Sequence, residues 1–486
     1  MRVGGVHQPT WAKKMTNLHV ESITRLADLI RNREVSPVEV LQACLDRIDL
    51  HNTKLNAIVT LAADVMEKAR EAEAAVSHDN ALGPLHGVPL TIKDTIETAG
   101  LRTTSGSAMR ADFIPQRDAP AVARLKAAGA IVLGKTNPAE MAMDYTADNP
   151  VFGRTNNPYD LSLTPGGSSG GEGAAIASCM SPGGIGSDLA GSIRIPSHFC
   201  GTAGLKPTVG RVPGAGQFPP STGPYSLAAV IGPMARSVSD LDLVFAVLAG
   251  IQPTAPNAER ELLETRLASL RGWRVACYAD DGVSPVSEET RSAVETASRA
   301  LADAGLAIEE TKPPGIERGH DLWLKLFSRA SVVQLRNVYA GHEEMGGEFV
   351  RWRLATADDT PAPSLDDYIS SWLERDRLRT TLVEWMEKRP LILAPVGATP
   401  AYQHGTHRVK VGDRTLNTFR AFSYSQTFNV FDLPVVVVPA GRSSEGLPIG
   451  IQIVGRPFAE ETVLAVAAVI EAALGGWQAP PFSDEH

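Results

Sequence analysis

Residues 164–206 read TPGGSSGGEGAAIASCMSPGGIGSDLAGSIRIPSHFCGTAGLK, and the reading of the chain starts there. Two glycine-flanked serines, Ser168 and Ser192, lie 24 residues apart. Small residues around each let the backbone turn tightly and present consecutive N–H groups. Just upstream, residues 86–95 read HGVPLTIKDT, with one lysine, Lys93, in an apolar segment punctuated by proline and glycine. Two hydroxyls and a lysine make a catalytic set that needs no histidine.

The turn around Ser192 points the amides of Leu189, Ala190, Gly191 and Ser192 at one spot, an arrangement suited to a developing oxyanion. Lys93 sits where a buried strand ends, and burial favours the neutral amine that can take a proton from serine. The adjacent Asp94 projects to the other strand face and need not pair with it. GGSSGGEG (166–173) has the look of a phosphate-cradling loop, but no Gly-Lys-Ser/Thr ending follows. It reads instead as a strand-to-helix turn. His86 and His198 lack an acidic orienter, so they read as loop support and as packing beside Phe199. No metal-ligand spacing occurs and no cofactor motif is found. Asp188 and Arg194 flank the Ser192 turn and are expected to brace it as an ion pair.

The bulk composition narrows the function classes. The chain has 486 residues, 43% of them hydrophobic, with net charge −9 and pI about 5.7. An acidic balance without a basic cluster argues against nucleic-acid binding. Four cysteines, Cys44, Cys179, Cys200 and Cys277, form no C-x-x-C pair and read as buried thiols in a reducing compartment. The first 20 residues hold no apolar run of signal-peptide type, and no 18-residue apolar stretch exists to span a membrane. The expectation is a cytoplasmic protein.

Along the chain, residues 20–80 read as helices. Ser36-Pro37-Val38-Glu39 predicts a capping box with proline at the first helical position. From 86 to 255, the catalytic core, short apolar runs at 88–92 and 130–135 bracket a helix near 119–128. That is the βαβ rhythm of a largely parallel sheet. Residues 270–390 form a variable excursion: strand 273–278, helix 287–304, strand 306–312, then aromatic-rich helices carrying Trp323, Phe327, Trp352, Tyr368, Trp372 and Trp385. Residues 391–486 supply buried strands at 391–396, 433–441 and 446–455 and a closing helix at 459–474. No linker separates independent units, so residues 1–486 read as one large α/β domain.

The residues quoted so far, with GKTNPAEM (134–141), 153–208 and LPIGIQIVGRPF (447–458), resemble the amidase signature family. The resemblance runs from about residue 20 to the end, tightest over 86–210 and loosest over 255–430. It implies a large twisted mixed β-sheet covered by helices on both faces. It also implies a Ser–cis-Ser–Lys triad, with Ser192 as nucleophile, Ser168 as the bridging serine after a cis peptide bond, and Lys93 as base. Ala190 departs from the family's usual Gly-Gly-Ser. A methyl there is tolerable if φ is negative.

The loop 210–226, GRVPGAGQFPPSTGPYS, reads as a mobile apolar wall of a substrate pocket. Tyr145, Phe152, Gly167, Arg211 and Phe218 are the expected substrate-binding residues, with a pure anchoring role for Arg211 at the start of the loop as the alternative. GGSSGGEG resembles the fatty-acid-amide and general amidase branch, which implies a small-molecule amide, anilide or aryl carbamate substrate, or an ester. A monomer or homodimer is expected. The alternative is the glutamine-hydrolysing component of a tRNA-dependent amidotransferase, which works with partner proteins.

Overall fold

The computed structural model describes residues 17–78, 82–251, 269–359 and 362–481. The reading of the extreme N-terminus as free of an apolar run falls mostly outside them. Thirteen strands occur among the described residues: β1 (Ile58–Leu61), β2 (Pro89–Lys93), β3 (Ile131–Thr136), β4 (Gly183–Asp188), β5 (Ala203–Lys206), β6 (Val230–Ala235), β7 (Arg274–Cys277), β8 (Ala307–Glu310), β9 (Leu391–Pro395), β10 (Arg408–Val411), β11 (Arg414–Asn417), β12 (Val435–Arg442) and β13 (Pro448–Gly455). Eleven join one sheet in the order β1-β3-β2-β4-β6-β5-β12-β13-β9-β7-β8, and β10 pairs with β11 as a separate hairpin.

The sheet is mixed. β2 runs parallel to β3 and β4, and β7 runs parallel to β8 and β9. The strands between them, β4 through β9, pair antiparallel. The βαβ rhythm therefore describes the two flanks, and the expectation of a largely parallel sheet fails in the middle. Continuous apolar runs mark strands covered on both faces but carry no strand direction. The strand–helix–strand of 273–312 extends the same sheet at its edge.

Alternation along β12 shows why both faces are filled. Val436 and Val438 enter one core with Leu391, Leu393, Ile451 and Ile453, while Val435 and Val437 enter a second with Ile392, Ala394 and Val454. The first core lies under helices 288–303 and 460–474; the second holds Phe199, Phe327, Phe422 and Phe428.

The N-terminal part is helical as read: α1 (Ile23–Arg31), α2 (Pro37–Leu55) and α3 (Val65–Ser77). The Ser36–Glu39 capping box is formed on both sides. One strand was not foreseen there. β1 pairs antiparallel with β3, and its four residues follow α2 too closely to show a period of their own. Further on, α4 (Pro120–Ala127) and α5 (Gly170–Ala177) precede α6 (Arg194–Cys200), and Ser237 caps α7 (Val238–Ala249).

Candidate active site

β2 and β4 are adjacent and parallel, so their carboxyl ends open in the same direction, where α/β sheets place their chemistry. Lys93 is the last residue of β2 and Asp188 the last of β4. Lys93 is fully buried. Its Nζ lies 2.6 Å from Ser168 Oγ and 3.0 Å from Ser187 Oγ. Burial brings this amine down to about 7, against the opposing pull of Asp188 and Glu172. A second buried lysine, Lys135 on β3, is not equivalent, because the Ile96 carbonyl and Thr98 Oγ1 hold its Nζ.

Ser168 stands at the mouth of α5, and its peptide bond with Gly167 is cis. The next residue ties the two serine turns together: Ser169 N–H donates to the Ser192 carbonyl at 3.1 Å. Ser192 keeps 6% of its surface exposed while Ser168 keeps none, so of the two only Ser192 is open to an incoming carbonyl. Among the described residues, Ser192 Oγ makes no hydrogen bond. The lysine–serine link is formed here and the serine–serine link is not. Such contacts often close only in the substrate complex.

The turn after β4 is braced as expected and more densely. Asp188 and Arg194 form a fully buried pair at 2.9 Å. Asp188 also accepts from the Gly191 N–H at 2.9 Å, the Ile193 N–H at 3.1 Å and Asn429 Nδ2 at 3.0 Å. Burial alone would raise this carboxyl; the Arg194 charge and its hydrogen bonds outweigh that and hold it well below the carboxylate range. Gly191 has φ +111°, and a methyl there would sit 2.6 Å from Ser425 Cβ. Ala190 lies outside the positive-φ region, so its methyl is accommodated.

This bracing corrects one expectation. The Gly191 N–H is engaged by Asp188 and does not face a vacant oxyanion position. The N–H groups of Leu189, Ala190 and Ser192 have no partner among the described residues and remain the candidates.

The residues expected to bind substrate separate. Tyr145 is buried, and its hydroxyl donates to the Ala190 carbonyl at 2.8 Å, so it holds the turn. Gly167 packs where a side chain would collide with the Thr146 carbonyl, a close approach of backbones. Phe152 is held by Asn56, Asn149 and Arg102. Arg211 takes the anchoring alternative and not the substrate contact: its guanidinium is held by Glu460 at 3.2 Å and Glu461 at 2.5 Å. The structure does seat Phe218 beside the site strand. Its N–H donates to the Thr95 carbonyl at 2.8 Å, and Ser105 Oγ donates to its carbonyl at 2.7 Å. These bonds, with Glu97 N–H on the Gly216 carbonyl, pin the 210–226 loop to the exit of β2.

Sequence reading missed Ser187, Glu172 and Phe419. Ser187 was visible beside Asp188, yet nothing local says that its hydroxyl meets Lys93. Glu172 is fully buried under two threonines, accepting from Thr91 Oγ1 at 2.5 Å and Thr136 Oγ1 at 2.6 Å. Burial pushes its carboxyl up to about 7. Half-buried Phe419 stacks on Tyr145 at 4.7 Å and on Trp323 at 5.7 Å, forming an aromatic face behind the turn. The two histidines near the motifs are structural. His86 meets the Ala72 carbonyl, and His198 bridges the Thr399 carbonyl and the Gly450 N–H. Burial lowers His198 to about 4, which leaves it neutral. All four cysteines are buried free thiols. Among the described residues no group of three or more His, Cys, Asp or Glu converges, and no helix is long and apolar enough to cross a membrane.

Comparison with known proteins finds amidases over most of the chain. The family model described as Amidase matches residues 39–464. Fatty-acid amide hydrolase 2 of Homo sapiens is 33% identical over 94% of this chain and 89% of its own length. A glutamyl-tRNA(Gln) amidotransferase subunit of Moorella thermoacetica is 34% identical over 92% of this chain and 95% of its own. The crystal structure of a bacterial aryl acylamidase superposes with TM-score 0.82 at 26% identity, covering 94% of this chain and 97% of that one.

Proposed function

We propose that this chain, which belongs to the amidase signature family and hydrolyses amide C–N bonds, is a stand-alone serine amidohydrolase working through an acyl-enzyme on Ser192. One observation carries the reading: a fully buried lysine amine, brought down to about 7, held 2.6 Å from Ser168 Oγ beside the Ser192 turn. With substrate bound, Ser192 Oγ turns onto Ser168. Ser192 attacks the carbonyl carbon as its proton passes to Ser168 and the Ser168 proton passes to neutral Lys93. The oxyanion rests on unpaired N–H groups among Leu189, Ala190 and Ser192. Removing one donor of that kind costs about 10²–10³ in kcat in known hydrolases. When the C–N bond breaks, the relay returns a proton to the leaving nitrogen. Water, activated by the same relay, then cleaves the ester and restores Ser192.

The half-buried ring of Phe419, stacked on the buried Tyr145 and Trp323 that hold the turn, supports an apolar acyl or aryl group, as in an anilide or aryl carbamate. A screen of purified protein across primary amides, anilides, carbamates and esters tests the class. A fluorophosphonate probe should add its mass to Ser192, and Ser192→Ala should take no label; label at another residue would overturn the nucleophile. The similarity to amidotransferase subunits supports a second reading, glutamine hydrolysis within a larger assembly. Hydrolysis of an anilide by the protein alone favours the first reading; strict dependence on added partner proteins favours the second.

A further inference from the structure

Two carbonyls just ahead of Ser192 are each held by a side chain from a distant segment. The Leu189 carbonyl accepts from Trp323 Nε1 at 3.3 Å, and the Ala190 carbonyl accepts from the Tyr145 hydroxyl at 2.8 Å. Both peptide bonds here are trans, so each carbonyl points opposite to the N–H that follows it. Holding the Leu189 carbonyl on Trp323 therefore turns the Ala190 N–H the other way, and that N–H has no partner among the described residues. Holding the Ala190 carbonyl on Tyr145 turns the Gly191 N–H onto Asp188 Oδ1, where it is found at 2.9 Å.

The hydroxyl of Tyr145 is itself directed. Gln426 Nε2 lies 2.8 Å from Tyr145 Oη and 2.8 Å from the Phe419 carbonyl, while Gln426 Oε1 lies 2.7 Å from His320 Nδ1. Reversing this amide would set its oxygen against the Phe419 carbonyl, so the orientation is determined. His320 Nδ1–H therefore donates to Gln426, Gln426 donates to Tyr145, and the Tyr145 proton is left for Ala190. His320, Gln426, Tyr145 and Ala190 are all buried. The short helix Gly319–Trp323 supplies both His320 and Trp323, so it reaches the turn by two routes.

We propose that Tyr145 and Trp323 are positioning residues that set the 189–192 turn for the oxyanion: Trp323 leaves the Ala190 N–H free to face it, and Tyr145, its hydroxyl fixed by His320 and Gln426, seats the Gly191 N–H on Asp188 and so holds the turn in that shape. This rests on Ser192 being the nucleophile. The Tyr145 ring, expected to touch substrate, acts instead through the backbone it holds.

The rate at which a fluorophosphonate phosphonylates Ser192, read by intact mass, tests the inference without knowledge of the natural substrate. Tyr145→Phe keeps the ring and its stacking and removes only the hydroxyl. The inactivation rate should fall about 10- to 100-fold, somewhat less than for loss of an oxyanion donor outright. The probe's half-saturating concentration should stay within about twofold, since ground-state binding does not use these amides. Gln426→Leu should slow labelling less, and adding it to Tyr145→Phe should slow it no further, because both act through one bond. Trp323→Phe provides an independent variant should Tyr145→Phe fold poorly, and it should also slow labelling with unchanged half-saturation. Labelling within twofold of wild type in Tyr145→Phe and Trp323→Phe would overturn the inference alone. No label on Ser192 in the wild type would overturn the nucleophile and this inference with it.

Discussion

Protonating Lys93 should stop turnover, and the structure sets the pH at which that happens. The perturbation is pH itself. An ordinary lysine amine titrates at 10.5, and burial lowers this one to about 7, while Asp188 and Glu172 pull it back up. At pH 7 about half the molecules then hold the neutral base, against roughly one in three thousand for an unperturbed lysine. The protonated form cannot accept the Ser168 proton, so activity falls as pH falls through 7. Below that point kcat/KM should drop about tenfold per pH unit, the free-enzyme signature of an essential base. The assay is kcat/KM for an acyl anilide from pH 5 to 9 at constant ionic strength. Glu172→Gln is the companion measurement. It removes one of the two groups that raise Lys93, so the acidic limb should move to lower pH with the same slope. A rate flat from pH 5 to 8, or a limb centred above pH 9, would refute a buried neutral lysine as the base.

Asp188→Asn leaves Arg194 buried beside a neutral amide, and its unfolding free energy in urea should fall by about 3–5 kcal/mol. A loss under about 1 kcal/mol would mean that Gln452 and Asn429, which also bond Arg194, suffice for its charge. Arg211→Met should leave KM for any accepted amide within about twofold while lowering the melting temperature, because it cuts the anchor to Glu460 and Glu461. A tenfold rise in KM with unchanged stability would return Arg211 to the substrate pocket.

What the sequence by itself determined is local. Ser36 announced its helix because a cap bonds amides two or three residues away. Asp188 and Arg194 were legible as a pair because six residues around one tight turn hold them together. The two serine turns and Lys93 were legible because glycines and a buried strand end constrain backbone and charge within a few residues, and the resemblance to amidases joined them. Tertiary structure alone decided the rest. Strand direction at the sheet centre follows from pairing, not from apolar runs. Arg211 found its carboxylates some 250 residues downstream, and Tyr145 met Gln426 281 residues away. Those meetings depend on which faces the sheet and helices present to each other. Each is a long-range contact chosen by burial of the whole core, and no spacing along the chain encodes it.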